Sequence, residues 1–222
     1  MNSSISFYSR ARRSDGESTR NDILNAAGQL FAEYGYAGTT NRAICDKAGT
    51  NTAAINYYFG GKDGLYEAVL VEAHSQIFSL KELTAIMDSE LEAEEKLASL
   101  LKTVVRTARA SSELWGIPVL MREMLNANTF PPVGLWEAIL PKLHIVRHLV
   151  QEVSGLAADS PEGRNATAFL ALSCLSLVIF PAKIKMGLLP SLRDEKGAFE
   201  EDMAAYVIGG LKAMRKHHSA IK

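Results

Sequence analysis

The sequence predicts an all-α protein with a compact N-terminal unit of short helices and a longer, more apolar C-terminal unit. Apolar residues recur three and four positions apart along most of the chain, which is the spacing of one helix face. No stretch sustains the alternation of apolar and polar residues that marks a half-buried strand. Turn-forming residues interrupt the C-terminal pattern at 128–132, 155–160 and 187–190, as expected between long helices.

Composition sets the broad class of protein. Of the 222 residues 47% are hydrophobic, enough for a sizeable core. The formal net charge of −1 neither favours nor excludes a nucleic-acid partner, which would need a local basic surface. Cys45 and Cys174 are far apart among apolar neighbours, so we expect no disulfide and a reducing compartment. The N-terminus lacks the apolar segment of a secretory signal. Together with the cysteines, this predicts a cytoplasmic protein.

The N-terminal unit begins with a basic segment followed by an amphipathic helix. Residues 1–17 are polar and lack hydrophobic periodicity, so we expect a flexible arm there. Thr19 and Asp22 have the spacing of a capping box, which predicts that the first helix starts at Thr19. Gly35 should end that helix.

Two short helices follow, separated by a tight turn. Thr40 is placed to cap the first of them, which ends at Gly49. Asn51 caps the second, which covers Thr52 to Phe59 and stops before Gly60. Two helices joined in this way are the layout of a helix-turn-helix unit.

The second short helix has one face for packing and one for contacts. If Ile55 and Phe59 point inward together with Ala54, helical geometry turns Asn56 and Tyr57 outward. Short polar groups on such a face match the donors, acceptors and thymine methyl groups of the major groove. An ordinary core helix would leave the exposed tyrosine without a task, so this pattern favours double-stranded DNA as partner.

The expected DNA contacts are of two kinds. Thr52, Ala53 and Asn56 are placed to reach base edges, whereas Tyr57 and Tyr58 suit the sugar-phosphate backbone. Phosphates are favoured at helix N-termini, where backbone N–H groups and the helix dipole attract anions. The residues expected at such positions are Thr40, Arg42 and Lys62.

The stretch from Ile23 to Leu70, about a fifth of the chain, resembles the DNA-binding domain of the TetR family of transcriptional regulators. The matching segments are ILNAAGQLFAEYGYAGTT and RAICDKAGTNTAAINYYFGGKDGLYEAVL. The sequence departs from the family at Cys45, where alanine is usual, and at Thr50, where valine is common. The resemblance implies a homodimeric repressor that binds a palindromic operator and is released by a small-molecule effector. It also implies that the family's base and phosphate contacts fall on Thr40, Arg42, Thr52, Ala53, Tyr57, Tyr58 and Lys62.

This resemblance divides the chain into three parts. We expect a basic arm over residues 1–17, a DNA-binding domain over 18–66 and a regulatory domain over 67–222 that binds the ligand and forms the dimer. Within the regulatory domain, VLMREMLNANTFPP and the following LPKLHIVRHLVQEVSG are similar to the CecR-like subgroup, which names no particular effector.

A segment without charged residues, 165–182, is the main candidate for the dimer interface. It reaches the lower edge of the length of a membrane span, but it contains polar residues and a proline, and no second span accompanies it. A buried or interface helix is therefore the preferred interpretation, with a membrane-attached sensor as the alternative. The predicted interface residues are Ala168, Ala171, Leu172, Leu175 and Ile179.

The effector site is expected among methionines and aromatic residues of the regulatory domain, because such side chains form adaptable apolar walls. The candidates are Trp115, Met121, Met124, Leu125, Phe130, Trp136, Phe169 and Phe180. Each could instead be ordinary core. Arg122 and Glu123 are either polar anchors or a solvated helix edge. An apolar or amphipathic effector follows from this composition.

No catalytic residue, cofactor or metal is expected. His144 and His148 lie four residues apart on one helix face, but no third ligand has a suitable spacing. The inward position of Cys45 favours an inert thiol over a redox switch. An all-α enzyme that uses His144, His148 or Glu123 is a further alternative, although no nucleophile elbow, phosphate loop or dinucleotide motif supports it.

Overall fold

The computed structural model describes residues 4–125, 132–193 and 197–220, the side chains of 4–15, 182, 186 and 193 excepted. Within these ranges the chain forms eleven α-helices and no strand, which confirms the predicted fold class. The N-terminal helices are α1 (Ser4–Gly38), α2 (Asn41–Ala48), α3 (Thr52–Phe59) and α4 (Lys62–Ile77). The C-terminal helices are α5 (Leu80–Met87), α6 (Ala93–Arg109), α7 (Gly116–Leu125), α8 (Val133–Ser154), α9 (Pro161–Ile179), α10 (Ala182–Leu188) and α11 (Ala198–Ala220).

The first helix begins earlier than the sequence predicts. The expected start at Thr19 is wrong, because α1 is helical from Ser4 and takes in most of the segment interpreted as an arm. Residues 4–18 contain no proline, and Gly16 is their one glycine. The backbone can therefore continue the helix toward the N-terminus. The expected stop is confirmed: the φ of Gly35 is 71°, and the chain kinks there before Gly38.

Two apolar cores lie one in each unit. The N-terminal core is made by the inward faces of α1 to α4, with Val119 of α7 and Leu135 of α8 packed into it. The C-terminal core centres on α6, whose apolar face lies against α5, α8, α9 and α11. Because α4, α7 and α8 each contribute to both cores, these three helices join the two units.

The junction between the units is closely packed. A Cβ atom on Gly116 would lie 2.8 Å from the backbone of Ala73, so only glycine lets α7 approach α4 this closely. A Cβ atom on Gly28 would lie 2.6 Å from the ring of Trp115, which packs α1 against the chain just before α7. The two units therefore meet as packed surfaces, not across a flexible linker.

Buried charged groups hold the last helices of the C-terminal unit in place. The guanidinium of Arg109 donates to Leu192 O at 2.9 Å and to Glu200 Oε2 at 3.1 Å, which ties α6 to α11. Burial by itself would raise the pKa of Glu200, but the hydrogen bonds and charge of Arg109 hold that pKa below its usual value. Lys185 of α10 donates to Ala108 O at 2.7 Å, which satisfies a carbonyl near the end of α6.

Candidate DNA-binding surface and effector cavity

The caps of the two short helices set the position of the candidate DNA-binding surface. Thr40 Oγ1 accepts a hydrogen bond from the Ala43 N–H at 3.1 Å, and Asn51 Oδ1 accepts one from the Ala54 N–H at 3.2 Å. Both helices end at a glycine in the left-handed conformation. The predicted bounds of α3 and both N-caps are thus confirmed, because each cap satisfies a backbone donor that the helix itself cannot.

The third helix presents separate inner and outer faces, as its sequence predicts. Ile55 is fully buried, whereas Tyr57 is 81% exposed. Thr52, Ala53 and Asn56 are exposed on the same side as Tyr57. The outer face therefore offers a hydroxyl, an amide, a methyl group and a phenol to an outside partner.

Tyr58 lies at the edge of this face and connects it to α1. Its ring is half-buried and packs edge-to-face on Tyr57, with 4.9 Å between the ring centroids. A Cβ atom on Gly16 would lie 3.4 Å from the Tyr58 hydroxyl, and the guanidinium of Arg20 lies 5.0 Å from the ring centroid of Phe59. The N-terminal part of α1 is therefore beside the outer face of α3, a proximity that the sequence pattern does not reveal.

Lys62 is held at the N-terminus of α4 by contacts with Tyr36. Its ammonium donates to Tyr36 O at 2.7 Å and lies 4.1 Å from the centroid of the Tyr36 ring. The Tyr36 hydroxyl in turn donates to Asp63 Oδ1. This hydrogen bond is the main reason that the pKa of Tyr36 lies above its usual value. The lysine is thus an oriented cation at a helix N-terminus. Its ammonium has three N–H donors, of which one is used in the bond to Tyr36 O.

Arg42, at the start of α2, is more open to solvent. Its side chain is 92% exposed, and its Nε lies 3.9 Å from Asp46 Oδ2 one helical turn away. Such exposed pairs contribute little free energy and break readily. The guanidinium therefore remains accessible to an anionic partner.

A cavity of about 360 Å³ lies in the C-terminal unit, close to the junction with the N-terminal one. Its walls come from α4, α7, α8 and α9 and consist mainly of apolar side chains, with His74 and Glu123 as the titratable groups. A second cavity of about 150 Å³ shares His74, Phe78 and Ile139 with the first and is also lined by Lys142. Apolar walls with few polar groups are typical of small-molecule sites.

His74 and Lys142 form a buried pair at the wall between the two cavities. The Lys142 Nζ lies 3.0 Å from His74 Nδ1, and the lysine is only 7% exposed. Burial, reinforced by the charge of Lys142, lowers the pKa of His74 to about 4. Burial also lowers the pKa of Lys142, although the carboxylate of Glu72 opposes this shift. Neither residue was a candidate from the sequence, because a lone histidine and lysine in separate helices carry no pattern.

Glu123 connects the larger cavity to the N-terminal unit. Its Oε2 accepts a hydrogen bond of 2.8 Å from the hydroxyl of Tyr66 in α4. Burial is the main cause of the raised pKa of Tyr66, followed by this hydrogen bond. Arg122 instead is exposed and donates to Glu33 O at 3.2 Å. Of the two alternatives for this pair, Arg122 fits the solvated edge and Glu123 fits the polar anchor.

The predicted effector residues fall in different places. Met121 and Met124 line the larger cavity. Trp115 is packed in the N-terminal core against Gly28, and Leu125 is 80% exposed, so neither lines this cavity. Their role as effector residues stays a prediction, because helical spacing cannot tell an inward wall from an inter-unit contact.

The remaining effector candidates are at the surface. Trp136 is 39% exposed on α8, and Phe169 and Phe180 of α9 are 58% and 50% exposed. None of these three lines either of the two cavities described above, and Phe169 instead lines a groove between α9 and α11. Phe130 lies outside the described residues.

An exposed apolar face runs along α9 and α11. It includes Leu172, which is 62% exposed, and Tyr206, which is 77% exposed, beside Phe169. Of the predicted interface residues, Ala168, Ala171 and Leu172 are exposed, whereas Leu175 and Ile179 line the larger cavity. The sequence could not show that these two point inward. Apolar residues are spread around all sides of α9, so no periodic pattern gives the direction of each side chain.

Other candidate chemistry finds little support in the described part of the chain. No group of three or more His, Cys, Asp or Glu residues there is arranged to hold a metal ion, and His144 and His148 are both exposed. Cys45 is buried beside Thr52, and burial raises the pKa of Cys174 to about 12. None of the described helices, α9 included, is long and apolar enough to cross a membrane.

Comparison with known proteins identifies the class. Residues 23–69 match the model of the family described as "Bacterial regulatory proteins, tetR family". The HTH-type transcriptional regulator YvkB of Bacillus subtilis is 41% identical over 163 residues, covering 69% of this chain and 78% of YvkB. The fatty acid regulator FadR of Bacillus subtilis, solved in complex with stearoyl-CoA, has a TM-score of 0.64 at 19% identity, covering 85% of this chain and 97% of FadR.

Other relatives match over shorter stretches. The dual regulator CecR of Shigella flexneri is 49% identical over 53 residues, which is 24% of this chain and 23% of CecR. The chain spans half or less of the length of the first three relatives that it matches. So short a match to CecR leaves the proposed CecR-like character of the C-terminal half a prediction.

Fold and surface together define a helix-turn-helix protein with a separate helical domain that encloses a cavity. The chain belongs to the TetR family of transcriptional regulators.

Proposed function

We propose that this chain is a homodimeric repressor that binds a palindromic operator and is released from it by a small apolar or amphipathic molecule. The observation that carries the proposal is the outer face of α3, where a buried Ile55 fixes the helix and exposed polar and aromatic groups face outward. Such a helix fits the major groove, and two copies related by a two-fold axis read two half-sites about one helical turn apart.

The proposed DNA contacts are Thr40, Arg42, Thr52, Ala53, Asn56, Tyr57, Tyr58 and Lys62. Exposure of Thr52, Ala53, Asn56 and Tyr57 supports base and backbone contacts from α3. The position of Lys62 at the start of α4 and the open guanidinium of Arg42 support phosphate contacts at two helix N-termini.

Tyr57→Ala and Lys62→Ala test this surface. Each variant is expected to lose about fivefold to 150-fold in operator affinity, because such a contact is worth about 1–3 kcal/mol and 1.4 kcal/mol corresponds to a factor of ten. The operator is first selected from a pool of random duplexes, and affinity is then measured by mobility shift.

Tyr34→Ala and Lys81→Ala are the matched controls, since Tyr34 is also exposed but lies on α1 and Lys81 is exposed on α5. Normal operator affinity in both test variants, with the dimer intact, would show that α3 and α4 do not form the reading surface.

The proposed dimer interface is the exposed apolar face of α9 and α11. Monomeric soluble proteins rarely leave large side chains such as Phe169, Leu172 and Tyr206 together at the surface. Small neighbours, Ala168 and Ala171 on α9 and Gly209 and Gly210 on α11, permit close approach of a second copy. The same patch on both copies would form a two-fold interface.

Leu172→Glu combined with Tyr206→Glu is expected to yield a monomer, because two charges would be buried at the interface without partners. Sedimentation of the purified protein measures its mass. Val133→Glu, at another exposed apolar residue (72% exposed), serves as control and should leave the dimer intact. A dimer that survives the double substitution would place the interface elsewhere.

A further inference from the structure

The two cavities of the C-terminal unit have one buried charged side chain between them. Lys142 lines the smaller cavity, and its neighbour His74 lines both. The other walls of the smaller cavity are almost entirely carbon, and its one hydroxyl, that of Thr167, already donates to Gly163 O at 2.9 Å. An ammonium buried among apolar walls is costly unless it meets an anion.

Glu72 is near enough for its charge to act on that ammonium, but it forms no ion pair with it. None of the ion pairs among the described residues includes Lys142. Its hydrogen bond there is to His74 Nδ1, and a charged lysine can only donate, so Nδ1 is the acceptor. His74 is then neutral with its proton on Nε2, in keeping with its low pKa. Lys142 and His74 thus retain N–H groups for a ligand.

We propose that the effector is a small monocarboxylate with an apolar tail, whose carboxylate binds Lys142 and His74 while the tail fills the larger cavity. This inference rests on the proposed ligand-responsive function and names the chemical class of the ligand. A single buried cation matches one negative charge, whereas a phosphate or dicarboxylate would bring a second charge that nothing at this wall neutralises.

Glu123 sets the direction of the ligand. Its carboxylate also lines the larger cavity, where Tyr66 holds it by a hydrogen bond. A second anionic group at that wall would be repelled, so the end of the tail is uncharged. The volume of about 360 Å³ is at the small end of the usual range of roughly 300–1,000 Å³ for ligand pockets, which favours a tail of medium length.

The test compares three probes that share one tail and differ in the head group: decanoate, decanol and decylammonium. Binding to the purified full-length protein is measured by titration calorimetry. Decanoate is expected to bind at least about tenfold more tightly than decanol, because hydrogen bonds to a charged group are about twice as strong as those between neutral groups. Decylammonium should bind most weakly of the three. Equal affinities for decanoate and decanol, or no binding of decanoate, would overturn the proposal.

Lys142→Met removes the charge and keeps a flexible side chain of similar length. This variant should lose the preference for decanoate over decanol, and Lys142→Arg should keep it. Lys81→Met, at an exposed lysine of α5, is the control and should bind all three probes as the unchanged protein does. A preference for decanoate that survives Lys142→Met would contradict the assignment; if that variant does not fold, the head-group series on the unchanged protein still decides.

Release of DNA is measured separately with the same three probes. Decanoate binding without release of the operator would support the ligand class and refute the proposed ligand-responsive repression. Release by decanol as readily as by decanoate would support that repression and refute the carboxylate class.

Discussion

At the residue scale, His74 is the side chain whose charge is most constrained. It is partly buried beside the buried Lys142 of α8, and the carboxylate of Glu72 acts on that lysine. Burial and the lysine together keep it neutral down to a pKa of about 4, against 6.5 when exposed. Unfolding lets it take up a proton at a higher pH, so acid favours the unfolded chain.

The stability that neutral His74 confers should therefore be present above pH 6.5 and be lost as the pH falls toward about 4. At about pH 5 the loss amounts to roughly 2 kcal/mol, since each pKa unit corresponds to about 1.4 kcal/mol. Urea unfolding of the protein and of His74→Gln at neutral pH and at about pH 5 measures it. The unchanged protein should lose about 2 kcal/mol more than the variant does.

The control is His144→Gln, because His144 is exposed on α8 and should unfold with the pH dependence of the unchanged protein. Identical acid losses in the unchanged protein and in His74→Gln would mean that His74 titrates normally in the folded state.

At the scale of elements, α4 and α7 form the physical link between cavity and DNA-binding surface. α4 starts at Lys62 beside the outer face of α3 and ends at Ile77 in the wall of the cavity. α7 is locked to it by close backbone packing at Gly116 and by the hydrogen bond from Tyr66 to Glu123. Glu123 of α7 lines the cavity and is bonded to Tyr66, so it connects the cavity wall to the helix that begins at the proposed phosphate contact Lys62.

Tyr66→Phe removes that hydrogen bond and keeps the ring packing on Phe31 and Tyr36. The variant should be about 1–3 kcal/mol less stable, because the half-buried carboxylate of Glu123 loses its donor. Amide hydrogen exchange should accelerate in α4 and α7 and stay unchanged in α6, which does not contact this bond.

Tyr34→Phe is the control for the same experiment, since Tyr34 is 56% exposed and its hydroxyl interacts with Glu33 of its own helix. If exchange in α4 and α7 responded equally to both substitutions, the Tyr66–Glu123 bond would not be what couples the two helices.

At the scale of the whole molecule, the charge distribution bears on the proposed DNA binding. A chain with a net charge of −1 attracts phosphates only through local basic groups, so the proposed dimer would double a small number of phosphate contacts. The N-terminal part of α1 lies beside α3, because Gly16 is in contact range of the Tyr58 hydroxyl. Its sequence carries Arg10, Arg12 and Arg13, which we propose add contacts to phosphates or the minor groove.

Deletion of residues 1–17 should weaken operator binding and flatten its salt dependence. Three arginines per copy make six in a dimer, so the slope of log affinity against log salt should fall in magnitude by up to about 5. Mobility shifts at several salt concentrations measure the slope.

Replacing the same three arginines with glutamine separates charge from helix length. This variant should reproduce most of the change in slope while it retains the full α1 helix. A slope that stays the same in both variants would exclude the segment from the DNA interface.

The sequence determined α2 and α3 of the N-terminal unit because their signals are local, whereas it placed the start of α1 too late. Thr40 and Asn51 cap their helices through bonds to residues three positions away, and a glycine ends each helix, so spacing alone sufficed. The faces of α3 follow from the same short-range geometry, since a buried Ile55 turns Tyr57 outward.

Only the tertiary structure decided which apolar side chains of the C-terminal unit face a cavity and which face solvent. α9 is apolar on all sides, so Leu175 and Phe169 look alike in sequence although one lines the cavity and the other is exposed. Lys142 and His74 are 68 positions apart, and their pairing depends on how α4 and α8 pack. Contacts between distant segments leave no periodic signal, because they are set by packing and not by the spacing within one helix.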